Sequence, residues 1–254
     1  MLAKRIIACL DSVNGRVIKG TQFQNHQDIG CVMDLAEKYS NLHVDELVLY
    51  NIASSADNQT VSYRWIREIS KKINIPFCVA GGIRTLQDAE NILNNGADKI
   101  SINTPALQCP EIIDNFVKRF GSQAVVVGVD TKKINNINVI YQNTGKANKT
   151  FADVKKLENW IMEVQDRGAG EIVINSIASD GMKNGYDITL LAQLRKKIKI
   201  PLIASGGAGS MEHFLEAFNV GVDGALAASV FHKDIIYINK LKHFLKTHNI
   251  PIRI

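Results

Sequence analysis

Cysteine, aromatic residues and long apolar runs are all scarce in this chain of 254 residues, and each shortage removes a class of protein. The four cysteines, Cys9, Cys31, Cys78 and Cys109, form no CxxC pair and show no Cys/His ligand spacing, so neither a disulfide framework, a structural metal nor a cofactor is expected. The longest apolar runs, such as residues 124–129, fall far short of the ~18 residues a membrane helix needs. The start, Met1-Leu2-Ala3-Lys4-Arg5, runs into an apolar strand instead of a secretion signal, which predicts a cytoplasmic protein. Aromatics make up 7% of the chain and its net charge of +5 is spread along it, which argues against nucleic acid and for small anionic ligands. No linker or low-complexity tract divides the sequence, and 46% hydrophobic residues suffice for one large domain spanning 1–254.

What the chain does contain is a repeat. Val44-Asp45-Glu46-Leu47-Val48 returns as Ala169-Gly170-Glu171-Ile172-Val173, Ala80-Gly81-Gly82-Ile83 as Ser205-Gly206-Gly207-Ala208, and Gly96-Ala97-Asp98-Lys99 as Gly221-Val222-Asp223-Gly224, all at an offset of 125. Cys9-Leu10-Asp11 and Gly128-Val129-Asp130 pair at an offset of 119, so six extra residues are expected in the Lys/Asn-rich stretch 131–150. Two half-copies, near 1–122 and 123–254, predict a pseudo-twofold site with duplicated chemistry.

Short apolar runs at 5–10, 46–50, 76–80, 99–102, 124–129, 171–175, 201–204 and 224–228 alternate with helical segments at 31–39, 61–73, 86–94, 111–120, 153–167, 188–197, 211–218 and 238–246. Runs that are continuously apolar mark strands buried on both faces, and eight such units predict an α/β fold of the (β/α)8 TIM-barrel type. A doubly wound open sheet competes, but two identical four-unit halves have no natural edge strand.

In such a barrel the chemistry lies at the C-terminal strand ends. Asp11 and Asp130 end the first and fifth strands, which face one another, and opposed carboxylates suit general acid and base work. Glycine pairs after the third and seventh strands let backbone amides approach an anion. With the residues ending the next strands they form two sets, Gly82 with Asn103 and Thr104, and Gly207 with Ala228 and Ser229. A substrate with a phosphate at each end fits these. Arg5, Glu46, Lys99 and Glu171 begin strands one, two, four and six, and their alternating signs predict a salt-bridged ring at the barrel floor, either for closure or to gate a small neutral molecule.

The segments Ile6-Ile7-Ala8-Cys9-Leu10-Asp11, Gly15-Arg16-Val17-Ile18-Lys19-Gly20, Gly96-Ala97-Asp98-Lys99-Ile100-Ser101-Ile102-Asn103, Ala204-Ser205-Gly206-Gly207-Ala208-Gly209 and Ala227-Ala228-Ser229-Val230-Phe231-His232 closely resemble the cyclase subunit of imidazole glycerol phosphate synthase, over essentially the whole chain. Phe77-Cys78-Val79-Ala80-Gly81-Gly82 and Asn184-Gly185-Tyr186-Asp187 are most similar to its enterobacterial branch. The resemblance implies a histidine-pathway lyase of the cytoplasm. Ammonia from a partner glutaminase would convert a bisphosphorylated ribulosyl-formimino aminoimidazole carboxamide nucleotide to imidazole glycerol phosphate and aminoimidazole carboxamide ribotide. It further implies that Asp11 and Asp130 are the acid/base pair, that Lys19 lies on a loop closing over substrate, that Asp180 and Gly181 belong to the substrate site, that Arg5, Glu46, Lys99 and Glu171 gate ammonia, and that Asp98 faces the glutaminase.

The chain departs from the family at Asn51-Ile52-Ala53-Ser54-Ser55, where Asp-Ile-Thr-Ala-Ser is usual, removing a charge near the expected rim. After strand six, Ile177-Ala178-Ser179-Asp180-Gly181 keeps the final Asp-Gly. Three readings share part of the pattern: the sister isomerase of the pathway, a cyclase paralogue supplying ammonia for sugar amidination, and a non-catalytic scaffold that activates the glutaminase. A charged floor has no task in an isomerase, and retention of both aspartates opposes a scaffold.

Overall fold

The computed structural model describes residues 2–21, 24–52, 62–144 and 150–254. The elements run β1 (Arg5–Val13), β2 (Arg16–Thr21), β3 (Gln24–Cys31), α1 (Val32–Asn41), β4 (Glu46–Asn51), α2 (Tyr63–Lys72), β5 (Phe77–Ala80), α3 (Leu86–Asn94), β6 (Lys99–Ile102), α4 (Thr104–Gln108), α5 (Glu111–Phe120), β7 (Val125–Ile134), β8 (Ile137–Gln142), β9 (Phe151–Lys156), α6 (Leu157–Asp166), β10 (Glu171–Ser176), α7 (Ile188–Arg195), β11 (Leu202–Ser205), α8 (Met211–Asn219), β12 (Gly224–Ala227), α9 (Ser229–His232) and α10 (Ile238–Thr247). Eight of the strands pair in parallel in the order β1, β4, β5, β6, β7, β10, β11, β12, and β12 pairs back onto β1. The ring is a closed (β/α)8 barrel.

Alternation along each strand sorts the apolar residues into two cores. Ile6, Ala8, Leu10, Leu47, Leu49 and Val79 point outward into the layer shared with the helices. Ile7, Cys9, Val48, Cys78, Val126 and Ile203 point inward and pack on one another inside the barrel. Both faces of the strands are covered, which is why their sequences read as unbroken apolar runs. The helices begin where local chemistry caps them. Thr85 Oγ1 accepts from the Asp88 amide at 3.1 Å ahead of α3, and Asp187 Oδ1 accepts from the Leu190 amide at 3.0 Å ahead of α7.

The repeat is written into the strand register. Ile7 stands opposite Glu46 and Asp11 opposite Tyr50 in the first half, while Val126 stands opposite Glu171 and Asp130 opposite Asn175 in the second. Asn103 and Ala228, which follow β6 and β12, share an unusual backbone, with φ −128°, ψ −86° and φ −128°, ψ −75°.

The structure adds a β-hairpin after each aspartate strand. β1 continues past its expected end into the two-residue turn Asn14-Gly15, and β7 into Asn135-Asn136. All four turn residues have positive φ, between 48° and 77°, as a tight hairpin turn of the primed type requires. The turns are 121 residues apart and the helices after the hairpins, α1 and α6, 125 apart, so the extra length lies within β7–β9 and their connections, as the Lys/Asn-rich composition predicts. The helix expected over 153–167 is corrected: Phe151–Lys156 is strand β9, and α6 starts at Leu157. The reason is that its buried stripe, Leu157, Trp160, Ile161 and Val164, begins only there, while residues 151–156 pair with β8. For the helix expected over 61–73, Val61 lies outside the described residues and the observed helix is Tyr63–Lys72.

Candidate active site

Inward side chains stack in layers along the barrel axis, each layer drawn from alternate strands. At the floor, β4, β6 and β10 contribute Glu46, Lys99 and Glu171, while β12 offers Gly224. Arg5 of β1, paired with Gly224 in the register, supplies the missing charge. Arg5 lies 2.6 Å from Glu46 and 3.0 Å from Glu171, and Lys99 lies 3.0 Å from Glu46 and 2.5 Å from Glu171. Each acid touches both bases, so the expected ring closes. Its side chains are only 4% to 16% exposed, which makes the charges depend on one another. Burial works to lower Arg5 and Lys99, but their carboxylate partners carry both above their ordinary pKa. Burial and the Glu171 charge push Glu46 up, whereas at Glu171 burial is outweighed by hydrogen bonds from Arg5, and its pKa falls.

Above the ring lies an apolar layer of Ile7, Cys78, Val126 and Ile203, then Val48, Ser101, Val173 and Leu226, then Cys9, Ala80, Gly128 and Ser205. Tyr50, Asn103, Asn175 and Ala228 form the next layer, and Asp11 and Asp130 stand at the top. One cavity, about 1590 Å³ with its open mouth included, is lined by Glu46 and Glu171 at the bottom, by side chains of every layer between, and by both aspartates. The cavity lining thus runs along the barrel axis from the charged floor to the paired carboxylates, through the tightly packed layer of Ile7, Cys78, Val126 and Ile203.

Asp130 is buried and accepts from Asn103 Nδ2 at 2.9 Å, Asn175 Nδ2 at 2.8 Å and Thr144 Oγ1 at 2.5 Å. Burial raises its pKa in spite of these three bonds, a direction that suits a group exchanging protons near neutrality. Asp11 Oδ1 accepts from the Cys9 thiol at 3.4 Å.

At the mouth, Gly81 and Gly82 have φ of 98° and 74°, and Gly206 and Gly207 have 85° and 112°. A Cβ on Gly207 would stand 2.0 Å from the Gly185 carbonyl oxygen, so only glycine fits there. Gly82, Asn103 and Thr104 on one side and Gly207, Ala228 and Ser229 on the other line the same cavity, together with Asp180 and Gly181. Thr104 Oγ1 also accepts from the Asn143 amide at 2.9 Å.

Two expected residues lie elsewhere. Lys19 is on β2, paired with Gln27 of β3, and its side chain is outside the described residues. Asp98 precedes β6 on the floor side, exposed, with one oxygen accepting from the Phe77 amide at 2.8 Å. Asn51 alternates away from the lumen, since Tyr50 and Ile52 line the cavity and Asn51 does not. Ala53, Ser54 and Ser55 fall outside the described residues.

Sequence reasoning missed Asn175 and Thr144, which hold Asp130, and Tyr50 and Arg84, which line the cavity. Asn175 and Tyr50 carried a usable signal, being related by the repeat offset of 125 and placed one register step from the two aspartates. Arg84 was legible as the cation following Gly81-Gly82-Ile83. Thr144 reaches the site through the β8 arm, which no local pattern announced. Among the described residues no cluster of His, Cys, Asp and Glu is arranged to hold a metal, and no helix is long and apolar enough to cross a membrane.

Comparison with known proteins agrees with this geometry. The family model described as histidine biosynthesis protein matches residues 5–237. Imidazole glycerol phosphate synthase subunit HisF of Campylobacter jejuni subsp. jejuni serotype O:6 is 56% identical, with 100% of both chains covered. The subunits of the same name from Salmonella arizonae and Proteus mirabilis are 52% and 51% identical, again with 100% of both chains covered. The chain therefore belongs to the histidine biosynthesis protein family, among its HisF-type imidazole glycerol phosphate synthase subunits.

Proposed function

We propose that this chain catalyses an ammonia-dependent cyclisation. A glutaminase subunit docks on the floor, at a face that includes Asp98, and releases ammonia into the lumen through the ring of Arg5, Glu46, Lys99 and Glu171. The acceptor is the bisphosphorylated ribulosyl-formimino aminoimidazole carboxamide nucleotide. Its two phosphates sit at the Gly82/Asn103/Thr104 and Gly207/Ala228/Ser229 cradles, Asp180 and Gly181 complete the wall, and Lys19 closes over it. Asp11 and Asp130 move protons on opposite sides of the reacting centre. The products are imidazole glycerol phosphate and aminoimidazole carboxamide ribotide.

The observation that supports this reading is one axial cavity lining that runs from a closed charge ring, through an apolar layer, to two opposed carboxylates. Ile7, Cys78, Val126 and Ile203 give an ion no counter-charge and no hydrogen-bond partner, so neutral ammonia crosses that layer at far lower cost than ammonium. The isomerase reading leaves this conduit without a task, and a scaffold needs neither aspartate.

The purified chain is mixed with the bisphosphate nucleotide and a high ammonium concentration at alkaline pH, and loss of substrate absorbance is followed. Turnover without the glutaminase is expected. A chain that binds the nucleotide but never consumes it with ammonia refutes the proposal.

A further inference from the structure

The helices that follow the two glycine turns start on a matching pair of hydrogen bonds made by different chemistry. In the first half, Asp88 at the third position of α3 accepts from the Arg84 and Thr85 amides through Oδ2, at 3.1 Å and 3.0 Å. In the second half, at the repeat offset of 125, His213 stands at the third position of α8 and accepts from the Gly209 and Ser210 amides through Nδ1, at 3.1 Å and 3.2 Å. An amide N–H only donates, so both bonds require Nδ1 to be the unprotonated nitrogen of a neutral ring. A carboxylate keeps its lone pairs above about pH 5, whereas an imidazole takes up a proton between about pH 5 and 8. The turn these bonds hold has little slack. A Cβ on Gly209 would stand 2.1 Å from the Lys183 carbonyl oxygen, and the Gly207 carbonyl accepts from the Gly185 amide at 2.8 Å. His213 sits behind the turn, beside Gly185, and is not among the residues lining the cavity.

We propose that His213 is a positioning residue for the Gly206-Gly207 turn, competent only while its ring is neutral, so that binding of this end of the nucleotide weakens on acidification. The inference rests on the Gly207/Ala228/Ser229 phosphate cradle proposed above. Protonation replaces the lone pair at Nδ1 with a donor that faces two further donors, and it places a cation at a helix N-terminus, where the helix dipole opposes it. The Gly209-Ser210 backbone must then move, and the packing against residues 183–185 passes the shift to Gly207. The equivalent turn of the first half, held by the Asp88 carboxylate, keeps both bonds over the same range. Glu212 beside His213, His248 at the end of α10 and Lys183 across the turn are the charged groups facing this helix start, and the variants below retain all three.

Nucleotide binding to the full chain is measured by calorimetry at ~pH 8 and ~pH 5.5, in wild type, His213→Asp and Asp88→His. His213→Asp copies the acceptor of the first half, and a carboxylate at this helix position is itself favourable. The substrate phosphates titrate over the same range in every sample, so the reading is the ratio of Kd at low pH to Kd at high pH, compared between chains. That ratio should be about tenfold smaller in His213→Asp than in wild type, and larger than wild type in Asp88→His, where both turns depend on an imidazole. Equal ratios in wild type and His213→Asp, or a smaller one in wild type, overturn the positioning role and leave the cradle standing. If His213→Asp does not fold, equal ratios in wild type and Asp88→His overturn it instead. A wild-type chain that binds no nucleotide at either pH overturns the cradle as well.

Discussion

Asp130 is gripped by two amides and a hydroxyl, whereas Asp11, at the equivalent strand end of the other half-barrel, is flanked by Tyr50 and Ala228 and bonded by a thiol. The backbones around them repeat closely, down to the dihedral angles of Asn103 and Ala228. The floor departs from symmetry in the same way: Lys99 has Gly224 as its equivalent, and the second cation comes from Arg5 on a neighbouring strand. Duplicated strands therefore supply the frame, and unequal side chains divide the labour. A carboxylate held by three donors has a fixed orientation, and the groups that flank it differ from the phenol and the methyl group beside its counterpart.

The comparison is broken most severely at the carboxylates themselves. Asp11→Asn and Asp130→Asn should each cut turnover by ~10²–10⁴ with nucleotide binding nearly intact, because only proton transfer demands the acid. Steady-state turnover alongside direct nucleotide binding checks this, and near-wild-type turnover in either variant assigns all the chemistry to the other half. Gly207→Ala probes the glycine turns at the mouth. Its Cβ would press on the Gly185 carbonyl at a φ of 112°, so a loss of about 3 kcal/mol or more is expected in denaturant unfolding. A loss under about 1 kcal/mol would mean that the turn relaxes freely and the mouth is not rigid.

Smaller effects sharpen the contrast between floor and mouth. Lys99→Ala leaves Glu46 and Glu171 sharing Arg5 alone, at a cost of ~1–3 kcal/mol in stability. Its diagnostic reading is the ratio of glutamine-driven to ammonia-driven turnover with a saturating glutaminase, which should fall, since external ammonia enters from the open mouth. An unchanged ratio reduces the ring to structural closure. The smallest effect is a pH dependence. Burial raises the folded-state pKa of Asp130, so its contribution to stability is fully present below the ordinary carboxylate pKa and is lost as pH rises through the raised value. Asp130→Asn should accordingly gain on the wild type in thermal midpoint at neutral pH, with the gain shrinking on acidification. A gain that grows as pH falls would show that the three hydrogen bonds outweigh burial.

The repeat offsets, the eight apolar runs and the glycine pairs were enough to read a closed barrel, two opposed aspartates, two glycine turns at the mouth and a charged ring from the chain alone. These are legible because strand burial on both faces, positive φ and strand-end placement each leave a local trace. The hairpins after β1 and β7 left one as well, in Asn14-Gly15 and Asn135-Asn136, which a reading built on apolar runs passed over, and the helix read over residues 153–167 began too early. What only tertiary structure decided is how residues far apart in sequence meet around one axis: Thr144 reaching Asp130 from the β8 arm, Arg5 standing in beside Gly224, and Tyr50 and Asn103 converging in one layer. Closing the barrel sets the stagger between neighbouring strands, and that stagger, which no stretch of sequence records, determines which inward side chains share a layer.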